Sequence, residues 1–203
     1  MEKIEVKNPG QVYGRNFIIY EALGEPVIKK DEWTLKVYGH VKKELTYTFN
    51  DLESMPQEHY IADFNCVTKW SIKDVEWQGP SLKKIINDSG PDDQCTWVMF
   101  ECADGYDAPV PLEDALDDRS IIAIKMNNEY LSVEQGFPAR PFIPSLYGWK
   151  SAKWLTGIRL MHDYEDGYWE MYGYHQRGNV ELEERFKGFS WKFFKRSSKL
   201  KKE

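Results

Sequence analysis

The apolar runs of this chain are short, of strand length rather than helix length, and 14 glycines and 10 prolines punctuate its 203 residues. That pattern excludes a helical bundle and favours sheets joined by long loops. Residues 33–39, Trp-Thr-Leu-Lys-Val-Tyr-Gly, alternate apolar and polar positions and predict a half-buried strand. The runs 96–102, 120–126 and 154–161 predict three more. Helical segments are expected only at 50–55, 81–87 and 112–117, each beginning near a cap or turn residue: Asn50, Ser81 after Pro80, and Pro111. Eight tryptophans and twelve tyrosines argue that the loops are ordered. The expectation is one α+β domain over residues 1–203, with a core at about 16–180 and a basic C-terminal tail at 181–203.

A net charge of −6 argues against nucleic acid as a partner. The one basic run, Lys192-Phe-Phe-Lys-Arg-Ser-Ser-Lys-Leu-Lys-Lys202, reads as a solvated, frayed terminus, with membrane-surface or partner docking as the alternative. No stretch has the apolar length of an integral membrane segment. The first residues carry neither a hydrophobic signal core nor a twin arginine, so a cytoplasmic location is expected. Cys66, Cys95 and Cys102 are odd in number and form no C-x-x-C pair, which argues against a disulfide framework.

Cys66 stands apart because of its neighbours. In Cys66-Val-Thr-Lys-Trp-Ser71, Lys69 favours a thiolate, while Thr68 and Ser71 offer hydroxyls to an anion. A nucleophilic cysteine needs a base, yet His40, His59, His162 and His175 lie in no cysteine-hydrolase signature. The histidines and cysteines also lack zinc spacing. A single thiolate suffices for a metal that arrives with its own sulfur ligands, as molybdenum does on a pterin dithiolene. A second cluster lies downstream, in Gly136-Phe-Pro-Ala-Arg140 and Tyr147-Gly-Trp-Lys-Ser-Ala-Lys-Trp-Leu155. Arg140, Lys150 and Lys153, with Ser151, offer three cations and a hydroxyl to a phosphate. By spacing alone, a solvated basic face accounts for that cluster equally well.

The two clusters together resemble the molybdopterin-binding domain of sulfite oxidases, and in particular the compact members of that family and the bacterial enzyme that reduces methionine sulfoxide in proteins. The resemblance runs from about Asn16 to His175 and includes Val75-Glu-Trp-Gln-Gly79, Asp104-Gly-Tyr106, Pro111-Leu-Glu-Asp-Ala115 and Gly167-Tyr-Trp-Glu-Met-Tyr-Gly-Tyr-His175. It implies a sulfite-oxidase-type fold of mixed β-sheets, with molybdenum and molybdopterin as cofactors. It implies two-electron oxygen-atom transfer on a small-molecule substrate of the sulfur- or nitrogen-oxide type, with electrons exchanged with an external partner. Cys66 would be the metal ligand and a catalytic residue. Arg140, Lys150, Ser151, Ala152 and Lys153 would hold the cofactor with Gln135, Cys102, Asn16 and Tyr20, and Tyr174 would be the substrate-side tyrosine, with Lys69 nearby. Relatives place two arginines soon after the cysteine to gather sulfite; here Lys69-Trp70-Ser71 stands instead, so sulfite loses much of its electrostatic attraction. The resemblance includes no haem or dimerisation domain. A non-catalytic binding module that keeps the fold is the competing reading.

Overall fold

The computed structural model describes residues 1–188; the basic run 192–202 lies outside the described residues. In chain order the strands are β1 Glu2–Ile4, β2 Val12–Gly14, β3 Thr34–Gly39, β4 Leu45–Thr48, β5 Gln57–Asn65, β6 Trp70–Pro80, β7 Trp97–Cys102, β8 Asp107–Pro111, β9 Ile121–Ala123, β10 Lys125–Met126, β11 Glu129–Tyr130, β12 Arg140–Phe142 and β13 Leu155–Met161. The helices are α1 Phe49–Ser54, α2 Leu82–Ser89, α3 Leu112–Ala115 and α4 Tyr168–Met171.

The strands form three sheets. One has the order β1-β5-β6-β10-β11 with β2 also on β6, a second is β4-β3-β13-β7-β8, and β12 pairs with β9 in a two-stranded ribbon. β1/β5, β2/β6 and β3/β13 are parallel and the remaining pairs antiparallel, so both large sheets are mixed. The main core fills the space between the five-stranded sheet and α1 and α2, with Leu35, Leu52, Ile85, Phe100 and Ile158 fully buried. A second core lies on the six-stranded sheet, where Trp77 stacks on Phe142 at 3.9 Å. Each such side chain contributes roughly 1.5–3 kcal/mol on burial.

The expected helices are present with shifted ends. Thr48, not Asn50, caps α1, through a reciprocal capping box with Asp51. Ser81 caps α2 as expected, and Gly90 closes it at a left-handed φ of 63°. The run 120–126 is not one strand: Ala123 pairs with Arg140 in the ribbon, whereas Lys125 pairs with Gln78 in the six-stranded sheet. That switch of sheets brings Arg140 to the edge of a cavity. Trp154 lies outside β13, at a left-handed φ of 58°. β1 and β2 precede residue 16, and Arg185, beyond residue 180, is buried and donates to the Val67 carbonyl at 2.6 Å. The folded unit therefore reaches beyond 16–180 at both ends. Among the described residues no helix is long and apolar enough to cross a membrane.

Candidate active site

A cavity of about 510 Å³ opens where the β5–β6 hairpin, the segment before β12 and the turn before β13 meet. Cys66 borders it from the first position of the hairpin loop. Its N–H donates to the Trp70 carbonyl at 2.9 Å, and Lys69 turns the chain back at a left-handed φ of 72°. Gln11 Nε2 holds the Cys66 carbonyl at 2.9 Å, while Asn65 Oδ1 accepts from Ser71 Oγ at 2.6 Å and from Asn8 at 3.1 Å. The loop is thus braced by residues near the N-terminus, and Cys66 is half-buried with its Sγ 3.2 Å from Thr68 Oγ1. Lys69 is exposed and does not border the cavity, a correction to its expected place on the substrate side; Trp70 borders it instead.

The walls near Cys66 are aromatic. Phe17 packs edge-on to Phe64 at 5.2 Å, and Trp70 tilts against Phe64 at 5.8 Å. Tyr174 stacks on Trp169 at 4.8 Å and meets Trp149 edge-on at 5.2 Å. Burial raises the Tyr174 pKa, so its hydroxyl keeps its proton. Tyr20 reaches over Trp169 at 5.8 Å and borders the cavity. Gly148 lies directly over Phe64, where a Cβ would sit 2.3 Å from the ring, so the wall needs glycine there.

The cations on the cavity wall are held by both loops. Gly136, at φ +102°, lets them close, since a Cβ there would meet Lys153 at 2.9 Å. Arg140 is buried: Nε donates to Ser151 Oγ at 2.9 Å, Nη1 to the Gln135 carbonyl at 2.8 Å and Nη2 to the Ser151 carbonyl at 2.5 Å. A guanidinium carries five N–H groups, so two remain without an acceptor among the described residues. No carboxylate pairs with it there either, and burial of the uncompensated charge pushes its pKa down to about 10. Lys153 leans over Trp154 at 4.3 Å and pairs with Glu21 at 3.5 Å, and burial lowers its pKa. Gln135, Ser151 and Ala152 also border the cavity.

Three expected residues are elsewhere. Lys150 points away from the cavity into a sealed pocket, where its ammonium donates to Glu170 Oε1 at 2.7 Å, the Pro109 carbonyl at 2.6 Å and the Gln176 carbonyl at 2.5 Å. Its three donors are used, so it is a structural cation and not an anion ligand. Cys102 packs in the main core with its thiol pushed up by burial, and does not border the cavity. Asn16 is exposed, one residue ahead of the segment that forms the wall. Asp104 and Tyr106, which residue spacing does not single out although both belong to the Asp104-Gly-Tyr106 motif, also border the cavity, and Tyr106 donates to the Trp149 carbonyl at 2.6 Å. A larger, shallower groove of about 770 Å³ runs along β3 and β4, but it holds no thiol and its lysines, Lys29 and Lys36, are exposed.

A half-buried thiol and a buried guanidinium with two free N–H groups on one cavity fit a metal carried by an anionic organic ligand. The residues present therefore fit a molybdopterin. Comparison with known proteins gives the same family. Residues 22–169 match the oxidoreductase molybdopterin binding domain. The chain is 38% identical over 155 residues to the oxidoreductase YuiH of Bacillus subtilis, covering 76% of this chain and 78% of that one. It is 31% identical to the mitochondrial sulfite oxidase of Drosophila melanogaster and 27% identical to the protein-methionine-sulfoxide reductase catalytic subunit MsrP of Campylobacter jejuni, over 81% and 69% of this chain. It spans only 34% and 52% of those two relatives' own lengths. The sulfane dehydrogenase SoxCD of Paracoccus pantotrophus shares the fold, with a TM-score of 0.63 at 24% identity over 69% of this chain and 41% of that one. The chain belongs to the oxidoreductase molybdopterin-binding domain family, of the sulfite-oxidase type, whose cofactor is molybdenum held by molybdopterin.

Proposed function

We propose that the protein transfers an oxygen atom, in a two-electron step, to or from a small neutral sulfoxide- or N-oxide-type substrate at the Cys66 end of the cavity. The observation that carries this reading is how few cations border the cavity. Cys66 belongs to one packed cluster with Trp149, Trp169 and Tyr174, and among the described residues the cavity is bordered by two cations, Arg140, which lies 5.6 Å over the Phe64 ring, and Lys153. With Arg140 and Lys153 both assigned to the cofactor, a sulfite dianion finds no further cation on the described wall, whereas an uncharged oxide needs only a hydrogen-bond donor and an apolar seat.

Cys66 is the residue that would hold molybdenum, and the bound metal supplies the redox chemistry. Arg140, with two N–H groups to offer, binds the anionic tail of the pterin, and the Ser151 backbone and hydroxyl hold the guanidinium in place. Lys153, half-buried and shared with Glu21, neutralises the same region. The Tyr174 hydroxyl, kept protonated by its surroundings, donates a hydrogen bond to the substrate oxygen and is the group placed to pass a proton there. The segment carrying Phe17 and Tyr20 limits water entry at the mouth. Electrons are exchanged with an external redox partner. The three cysteines are free thiols, which suits a reducing compartment such as the cytoplasm.

The test is turnover by the molybdenum-loaded protein with artificial electron donors and acceptors. Dimethyl sulfoxide, trimethylamine N-oxide and sulfite are compared in the wild type and in Cys66→Ala at matched molybdenum content. The expected result is oxide reduction that exceeds sulfite oxidation and is abolished in Cys66→Ala. Faster turnover of sulfite than of either oxide overturns the substrate class, and full activity in Cys66→Ala overturns the role of the thiolate.

A further inference from the structure

Three metal-ligating side chains converge far from the cofactor cavity, at the opposite end of β13. His162 follows the last residue of β13, His40 follows β3, and Asp92 lies in the loop between α2 and β7. Their donor atoms all lie within 4.8 Å of one another. Donors on a tetrahedral ion with bonds of about 2.1 Å stand roughly 3.4 Å apart, so small side-chain rotations bring all three onto one ion.

The cluster is built rather than accidental. The His40 and His162 rings stack face to face at 3.6 Å with 22° between their planes, so a rotation out of the stack is what turns a nitrogen of each toward one ion. Asp92 presents Oδ2 to His162 Nε2 at 3.0 Å, and its other oxygen accepts from the Gln94 N–H at 2.7 Å. A carboxylate steadied through its second oxygen is the arrangement that orients metal ligands. The backbone fixes the three segments to one another. His40 N donates to the Leu160 carbonyl at 3.0 Å, Asp92 N to the His40 carbonyl at 3.1 Å, and Thr96 Oγ1 to the His162 carbonyl. The His162–Asp92 pair alone has the look of an ordinary ion pair; the second imidazole alongside it is what such a pair does not need.

We infer that His40, His162 and Asp92 bind a single divalent transition-metal ion of the zinc class, with solvent completing its coordination. Two imidazoles and one carboxylate favour zinc, nickel or copper over calcium and magnesium, which take oxygen ligands. The side chains of His162 and Asp92 are 31% and 41% exposed, so an ion enters from solvent without local unfolding. Because the ligands come from three separate segments, bound metal ties the end of β13 to β3 and to the α2–β7 loop and raises the melting temperature by mass action.

The experiment is calorimetric titration of the molybdenum-loaded protein with zinc, repeated on His40→Ala, His162→Ala and Cys66→Ser. One zinc per chain in the wild type is expected. Affinity should fall by about 10- to 100-fold or more in each histidine variant and stay unchanged in Cys66→Ser. Cobalt in place of zinc should give weak d–d bands without a sulfur-to-metal charge-transfer band. Should His162→Ala fail to fold, the exposed His40→Ala decides the question. Absence of a stoichiometric zinc site in the wild type, binding undiminished by His40→Ala, or binding lost in Cys66→Ser each overturns the inference.

Discussion

Arg140 and Lys150 belong to one basic cluster in the sequence and are both buried, yet they stand in opposite electrostatic situations. Lys150 has a carboxylate partner in Glu170 and spends all three donors on protein oxygens. Arg140 meets only neutral oxygens among the described residues and keeps two N–H groups in hand. The difference is what separates a structural cation from a ligand-binding one. Burial of a charge is costly unless something compensates it. For Lys150 the compensation is built into the fold; for Arg140, under the proposed function, it would come from the ligand.

The comparison predicts unequal responses to substitution. Removing the partner of Lys150 leaves a sealed, unpaired ammonium, so Glu170→Leu is expected to lose about 3–5 kcal/mol of stability in urea unfolding. Replacing both members, as Lys150→Met with Glu170→Leu, is expected to recover part of that loss, because the unpaired charge is gone while the Trp149 indole N–H and the Pro109 and Gln176 carbonyls lose their partners. A double variant as unstable as Glu170→Leu would break the assignment of Lys150 as a partnered structural charge. Arg140→Met should cost the cofactor-free protein only about 1–2 kcal/mol, the loss from the oxygens it leaves unpaired, while lowering the amount of pterin retained. A stability loss equal to that of Glu170→Leu would erase the contrast between the two cations.

The cysteines repeat the contrast on a smaller scale. The thiolate is the reactive form, so a raised thiol pKa means less reaction at a given pH. Cys102 is buried in the core with its pKa raised, and iodoacetamide at mildly alkaline pH should leave it unmodified in the native, cofactor-free protein while Cys66 is alkylated. Mass spectrometry of the labelled peptides checks this, and equal labelling of the two would contradict it. The smallest effect belongs to the half-exposed pair of Glu21 and Lys153 at the cavity mouth. Glu21→Gln should change stability by less than about 1 kcal/mol.

What could be read in the sequence was local, and what could not was set by distant residues. Ser81 marks a helix start because its side chain caps its own first turn, and Pro111 marks one through its fixed φ, without a cap bond. Thr48, three residues before Asp51, carries a capping signal for α1, which starts at Phe49 and not at Asn50. The β5–β6 hairpin that presents Cys66 was not legible. Its alternation is interrupted by a register shift between Ala62 and Phe64, and Lys73 and Asp74 add charges beyond it. The split of the run 120–126 between two sheets is likewise a property of its partners, Arg140 and Gln78. Lys150 was misplaced for the same reason. A 3₁₀ turn at Gly148–Lys150 sends its side chain inward while Ser151 to Lys153 border the cavity, and Glu170 lies a further twenty residues along the chain. The thiolate and the cation loop were legible as chemistry; their placement across one cavity required the fold.

The central claim is that one cavity joins the Cys66 sulfur to the Arg140 guanidinium through a bound molybdopterin. The most direct measurement is molybdenum and released pterin per folded chain, compared between the wild type, Arg140→Met and the Lys150→Met/Glu170→Leu double variant, all produced with ample molybdenum. The account predicts stoichiometric metal and pterin in the wild type and in the double variant, and loss of both in folded Arg140→Met. Wild-type pterin content in Arg140→Met would contradict it.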